Sequence, residues 1–145
     1  MRWYEVDKKR VIVEAQKIRN KYPEFKIKMH DNLLSWEGSI ALNVGGTKCL
    51  PIKVKIVCED SYPIIAPSVF PVDNALPDEL VGHKWHRYTA GQICYVKPSL
   101  WDPHYYIIDI IEKLQIWYEK FVLYHMQINS DFEIDSGSLQ DVLGR

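Results

Sequence analysis

Residues 25 to 56 hold three runs in which apolar and polar side chains alternate, and this two-residue period most narrows the folds open to the chain. Phe25, Ile27 and Met29 alternate with Lys26 and Lys28. Trp36, Gly38, Ile40 and Leu42 alternate with Glu37, Ser39 and Ala41, and Ile52, Val54 and Ile56 alternate with Lys53 and Lys55. Successive side chains of a strand point to opposite faces, so each run reads as a strand with one buried face. The Gly45-Gly46 pair supplies a turn, and connections this short place sequential strands side by side and antiparallel. The expectation is a meander.

Helices are expected on either side of it. From Asp7 to Asn20, Val11, Ala15 and Ile18 recur at helical spacing, and Tyr22-Pro23 closes the pattern. After the third strand, SYPIIAPSVFPV carries Pro63, Pro67 and Pro71, which limit ladder hydrogen bonds and leave room for only a short edge strand around Ser68 to Phe70. Asp102-Pro103 has the composition of a helix start. Beyond it Ile107, Ile110, Ile111, Leu114, Trp117, Tyr118 and Phe121 mark the apolar side of a long covering helix, with Asp109, Glu112 and Lys113 toward water. Trp36, Trp117 and Tyr118 are expected core. The order describes an α+β layer fold, a four-stranded antiparallel meander in one domain over residues 1–128, followed from Asn129 by an acidic tail or extra short helix over 129–145.

Composition excludes several classes. With 145 residues, 47% of them hydrophobic, the chain can bury one sizeable core. A formal net charge of -1 offers no basic surplus for nucleic acid. No apolar run approaches the roughly 20 residues that span a bilayer, and MRWYEVDKKR lacks the apolar stretch of a secretory signal, so a cytoplasmic protein without a membrane partner is expected. Cys49, Cys58 and Cys94 include no CxxC pair, which points to reduced thiols. No glycine-rich loop opens a helix as a phosphate cradle, no serine stands in a G-x-S-x-G elbow, and no cofactor is expected.

Reactive side chains concentrate in HKWHRYTAGQICYVKPSLWDP, residues 83–103. A cysteine beside isoleucine is usually a small buried hydrophobe, but the polar, turn-forming approach to Cys94 suggests a loop onto which His83 and His86 can fold. Thiol chemistry needs thiolate, and an imidazole can favour it or donate to an oxyanion. Tyr88, Trp101, Asp102 and His104 are possible supporting residues. Trp101 also reads as packing beneath the loop, and Asp102 as a helix cap. His83, His86, Cys94 and His104 are metal-ligand types, but Cys94 and His104 stand too far apart to form the second close pair of a structural zinc site, and no metal is expected. A cysteine hydrolase pairing Cys94 with His86 needs an orienting third group that the sequence does not offer.

The order of these segments, WEGSI, then YPIIAPSVF, then HRYTAGQIC, then Trp101 and a long helix, resembles the ubiquitin-conjugating enzyme (UBC) family from about Asp7 to Tyr124. The resemblance implies the UBC fold and an acyltransferase activity in which Cys94 accepts the C-terminus of a ubiquitin-like partner as a thioester. Eukaryotic members carry a His-Pro-Asn motif whose asparagine lies eight residues before the cysteine. Here Lys84, Trp85 and His86 occupy those places. WHRYTAGQICYVKP and the later Trp117-Tyr118-Glu119 look more like the bacterial branch, in particular the stand-alone protein of short type II CBASS antiphage operons. There the implied partner is the C-terminal tail of a cGAS-like nucleotidyltransferase, with His86 or His83 favouring thiolate or oxyanion. The alternative within the fold is a catalytically silent binding module of the variant or RWD type, which shares the YPxxxP turn seen at Tyr62 to Pro67.

Overall fold

The computed structural model describes residues 1–126. Two helices open the chain, α1 (Trp3–Val6) and α2 (Lys8–Lys21), and four strands follow: β1 (Lys26–His30), β2 (Leu33–Val44), β3 (Thr47–Cys58) and β4 (Ser68–Pro71). A long irregular segment with short 3₁₀ turns at His83–Trp85 and Pro98–Leu100 leads to α3 (Ile107–His125). The sheet order is β1-β2-β3-β4, all antiparallel, so the expected meander and edge strand are found. Helix α3 packs across β2 and against α2. Gly45 and Gly46 both have positive φ, as a two-residue turn between antiparallel strands requires. The tail expected from Asn129 lies outside the described residues, and no described helix is long and apolar enough to cross a membrane.

One face of the sheet makes the core. Leu34, Trp36, Ile40, Val54, Ile56, Cys58 and Val69 are buried there under Ile110, Ile111, Leu114, Trp117 and Phe121 of α3. Gly38 leaves room for the Phe25 ring, because an added Cβ would lie 2.4 Å from Phe25 Cγ.

Several expectations need correction. Ile27 and Met29 pair with Trp36 and Leu34 and so lie on the inner face, but β1 is a sheet edge beyond the helical cover, and they are 48% and 55% exposed. A register shift between Ile40 and Leu42 buries Ala41 instead of turning it outward, and its N–H donates to Gln115 Oε1 at 3.2 Å. The last helix does not start at Asp102-Pro103. It starts at Ile107, where the Asp109 carboxylate caps the Tyr106 N–H at 2.7 Å. The carbonyls of Pro103 and Tyr105 are instead held by the Arg10 guanidinium, which keeps this approach out of helix.

The apolar stripe of α2 also carries a charge that its spacing conceals. Glu14 is fully buried one turn before Ile18. One carboxylate oxygen accepts from the Ile107 N–H at 2.8 Å, and the other accepts from the Tyr62 hydroxyl and faces Arg10 Nε at 3.6 Å. Burial pushes the carboxyl up, and its bonds to Tyr62 and Ile107 and the charge of Arg10 pull it back only in part. Relative to the unfolded chain the folded state therefore holds this proton more tightly, and that contribution to stability is lost as pH rises through the folded value. The junction ties α2 to the turn after β3 and to the first turn of α3. Removing the carboxylate strands a guanidinium, a hydroxyl and an amide together. Glu14→Ala is expected to cost about 3–5 kcal/mol in urea unfolding, and Glu14→Gln, which keeps an acceptor for Ile107, clearly less.

Candidate active site

The irregular segment is held to the sheet edge by a few specific bonds. Ile93 N–H donates to Val69 O on β4 at 2.8 Å, and the buried Tyr95 hydroxyl donates to Pro67 O at 2.7 Å. Tyr88 and Gln92 close a tight turn in which Gly91 takes a φ of 101°. These bonds bring Cys94 to the surface beside β4.

Arg87 organises the rest of the loop. It is only 3% exposed, and its guanidinium donates to the carbonyls of Pro77, Leu80 and Gly91 at 2.8 to 3.1 Å. Backbone bridges join it to Gly82 and Ile93. Desolvation lowers its pKa, with Asp78 acting in the opposite sense. Its neighbour His86 takes a left-handed conformation with φ and ψ of 48°, which histidine tolerates better than most side chains. That conformation aims the His86 carbonyl at two donors, Cys94 N–H at 2.8 Å and the buried Trp117 Nε1 at 3.2 Å.

Cys94 is half-buried between two cavities, and it lines both. On one side is a groove of about 420 Å³ between the turn at Ile64 to Ser68 and the strip from Gln92 to Pro98, with Trp101 at one end. No charged residue lines it. A second cavity, of about 310 Å³, includes His83, His86, Arg87 and Thr89 in its lining. Tyr88 lines both, next to Cys94. Burial pushes the Tyr88 phenol up first, and the neighbouring Cys94 thiol adds to the effect. The thiol itself lies 3.6 Å from Val96 O.

Cys94, Tyr88, His83 and His86 are thus brought together, with the imidazole rings of His83 and His86 5.3 Å apart, His83 exposed and His86 buried. Trp101 packs between Tyr62 and Tyr105, and its Nε1 donates to Pro63 O at 2.9 Å, across the cis Tyr62-Pro63 bond from the Glu14 junction. Asp102 and His104 are not part of this cluster. They form an exposed pair, in which Asp102 Oδ1 meets both the N–H and Nδ1 of His104, and these hydrogen bonds hold the Asp102 carboxyl below its ordinary range. Among the described residues no three His, Cys, Asp or Glu side chains converge as metal ligands.

Sequence reasoning missed Arg87, Gln92 and the Ile64-Ile65 lip. Nothing local distinguishes Arg87 from an exposed arginine, because its partners come from three separate points of an irregular chain. Arg87→Ala leaves those three carbonyls unpaired and is expected to cost about 3 kcal/mol in thermal or urea unfolding. Cys94 in that variant should react faster with iodoacetamide, judged against Cys49 in the same molecule as an internal standard.

No family's sequence profile matches the chain, and no curated protein does. Among solved structures it is similar to the yeast Vps23 UEV domain in complex with a Vps27 PSDP peptide, at a TM-score of 0.57 and 16% identity over 77% of this chain and 80% of the other. It is also similar to a complex of the Vps23 UEV with ubiquitin, at 0.53 and 16% over 75% and 80%. At this identity the likeness speaks for architecture. The chain has the UBC-like α+β fold that UEV domains share.

Proposed function

We propose that the chain binds the extended tail of a protein partner in the groove beside Cys94. The observation that carries this reading is the groove itself, which is uncharged, about 420 Å³ in volume and open at a lip where Ile64 and Ile65 are 71% and 61% exposed. Gln92 is in its lining, and the Gln92 Oε1 is buried and accepts no hydrogen bond among the described residues. Apolar walls with a few polar anchors suit an extended segment poor in charge. The solved complexes of UEV domains with a peptide and with ubiquitin support a binding role for this fold.

A second reading adds chemistry to the same groove. In it the chain is an acyltransferase, and the Cys94 thiolate takes the tail's C-terminal acyl group as a thioester that an amine later displaces. Its support is the place of Cys94 in the lining of both cavities, with Tyr88 beside it. With the sequence resemblance, the partner in this reading is a cGAS-like nucleotidyltransferase with a flexible glycine-terminated tail, in the cytoplasm of a bacterium and in antiphage defence.

One experiment separates the two. A nucleotidyltransferase tail peptide, titrated against the protein, is expected to bind wild type and Cys94→Ala within about twofold, and Ile65→Asp at least about tenfold more weakly through lost apolar contact. Equal binding by Ile65→Asp would remove the groove from the reading. With the intact, activated partner, a thiol-sensitive adduct on a non-reducing gel that Cys94→Ala abolishes establishes the transferase, and binding without any adduct leaves the binding module.

A further inference from the structure

The rim of the sheet at β1 is left unfinished by the fold. Strand β1 stands first in the sheet order, so the outward half of its backbone N–H and C=O groups meets no strand among the described residues. On its inner face Ile27 and Met29 remain 48% and 55% exposed. On its outer face are Lys26 and Lys28, and across β2 from them β3 presents Lys55 beside Glu37 and Lys53 beside Ser39. Glu37 is the one carboxylate that β1, β2 and β3 carry. Lys28 Nζ meets it at 2.7 Å and Lys53 Nζ at 3.9 Å, and the hydrogen bond from Lys28 holds its carboxyl below the ordinary range. Four lysines around one carboxylate leave this face positive. A segment that completes the rim is therefore extended, acidic at alternate residues and apolar between them. The chain contains such a run, Asp131-Phe132-Glu133-Ile134-Asp135, outside the described residues.

We infer that residues 131–135 of a second copy add to β1 as a fifth strand, so that two chains associate through their tails. Laid antiparallel, with Phe132 opposite Met29 and Ile134 opposite Ile27, the segment covers both exposed apolar side chains and sets Glu133 beside Lys28 and Asp135 beside Lys26. A slip of one residue turns every carboxylate onto the apolar side, so the two alternations together fix the register. The donor is a second copy because a chain's own segment falls short. Helix α3 runs toward the other edge of the sheet: Gln115 meets Ala41 of β2, the Tyr118 hydroxyl donates to Leu50 O on β3, and Tyr124 and His125 pack on Trp85, in the loop that Ile93 bonds to β4. From there the open side of β1 is four strand spacings away, roughly 19 Å, and about 13 Å back along β2 from Ala41 to Glu37, together about 23 Å. Residues 127–130 reach at most about 18 Å fully extended.

The test reads association and its address in the full chain. Sedimentation velocity over a hundredfold range of concentration is expected to show one chain passing to two. Phe132→Asp and Met29→Asp are each expected to weaken that association at least about tenfold through lost apolar contact. Mixed together, these two variants are expected to recover a heterodimer, because the first keeps an intact strand and the second an intact tail, a recovery that misfolded chains would not give. Lys26→Glu is expected to weaken the dimer about threefold, and Asp135→Lys added in the same chain to restore it. A chain that stays monomeric throughout overturns the inference, as does a dimer indifferent to Phe132→Asp and Met29→Asp. Failure of Asp135→Lys to restore the dimer overturns the register. A monomer whose β1 amides exchange hydrogen faster in Phe132→Asp puts the segment on its own strand and overturns the pairing between copies.

Discussion

Two arginines hold in place a stretch of chain that has almost no ladder of its own. Between β4 and α3 the backbone runs for about 35 residues with only isolated bridges and short 3₁₀ turns, yet much of it is packed against the core. Buried carbonyls without partners are costly. Arg87 supplies donors to the carbonyls of Pro77, Leu80 and Gly91, and Arg10 to those of Pro103 and Tyr105. A guanidinium suits this because its donors are fixed in a plane and spread wide enough to serve separate segments at once. The course of the loop before Cys94 and the late start of α3 follow from where these two side chains sit.

Their settings differ. Arg10 is offset by Glu14, and this charged pair is joined to Tyr62 at the start of the groove wall and to the first amide of α3. Arg87 donates only to backbone carbonyls, with Asp78 acting on it from beyond hydrogen-bond contact. The first arrangement fixes the frame on which the groove stands, and the second fixes the loop that carries Cys94. Cys94 consequently lines two hollows of different chemistry, an uncharged channel and one whose lining includes His83, His86 and Arg87.

The sheet was legible in the sequence because it depends on period and turn chemistry. The alternation at Trp36 to Ile40 and at Ile52 to Ile56, the Gly45-Gly46 turn and the proline-limited edge strand are all local signals, and the structure places them as read, up to the register shift after Ile40. Where burial depends on what lies above a residue, the period fails: Ile27 and Met29 have the right phase but sit past the helical cover. Asp102-Pro103 had the right composition for a helix start, but Arg10, more than 90 residues earlier, holds the carbonyls that a helix would use. Glu14 was open to detection, since it shares the helical phase of Ile18 and lies four residues after Arg10. In the site, clustering of His83, His86 and Cys94 was visible as a run of reactive types, and Tyr88 came with them. Arg87 and Gln92 take their roles from distant backbone, for which a linear sequence has no mark.

The carbonyl of His86 joins two parts of the molecule that are otherwise unrelated in sequence. One oxygen receives the amide of Cys94 and the indole N–H of Trp117, and Trp117 is wholly enclosed at the centre of α3. The thiol's backbone and the middle of the long helix are thus pinned to a common point, itself set by a left-handed residue. Rotation or sliding of α3 over the sheet would displace this point and carry the thiol with it. The covering helix is in this sense a lever whose short arm ends at Cys94.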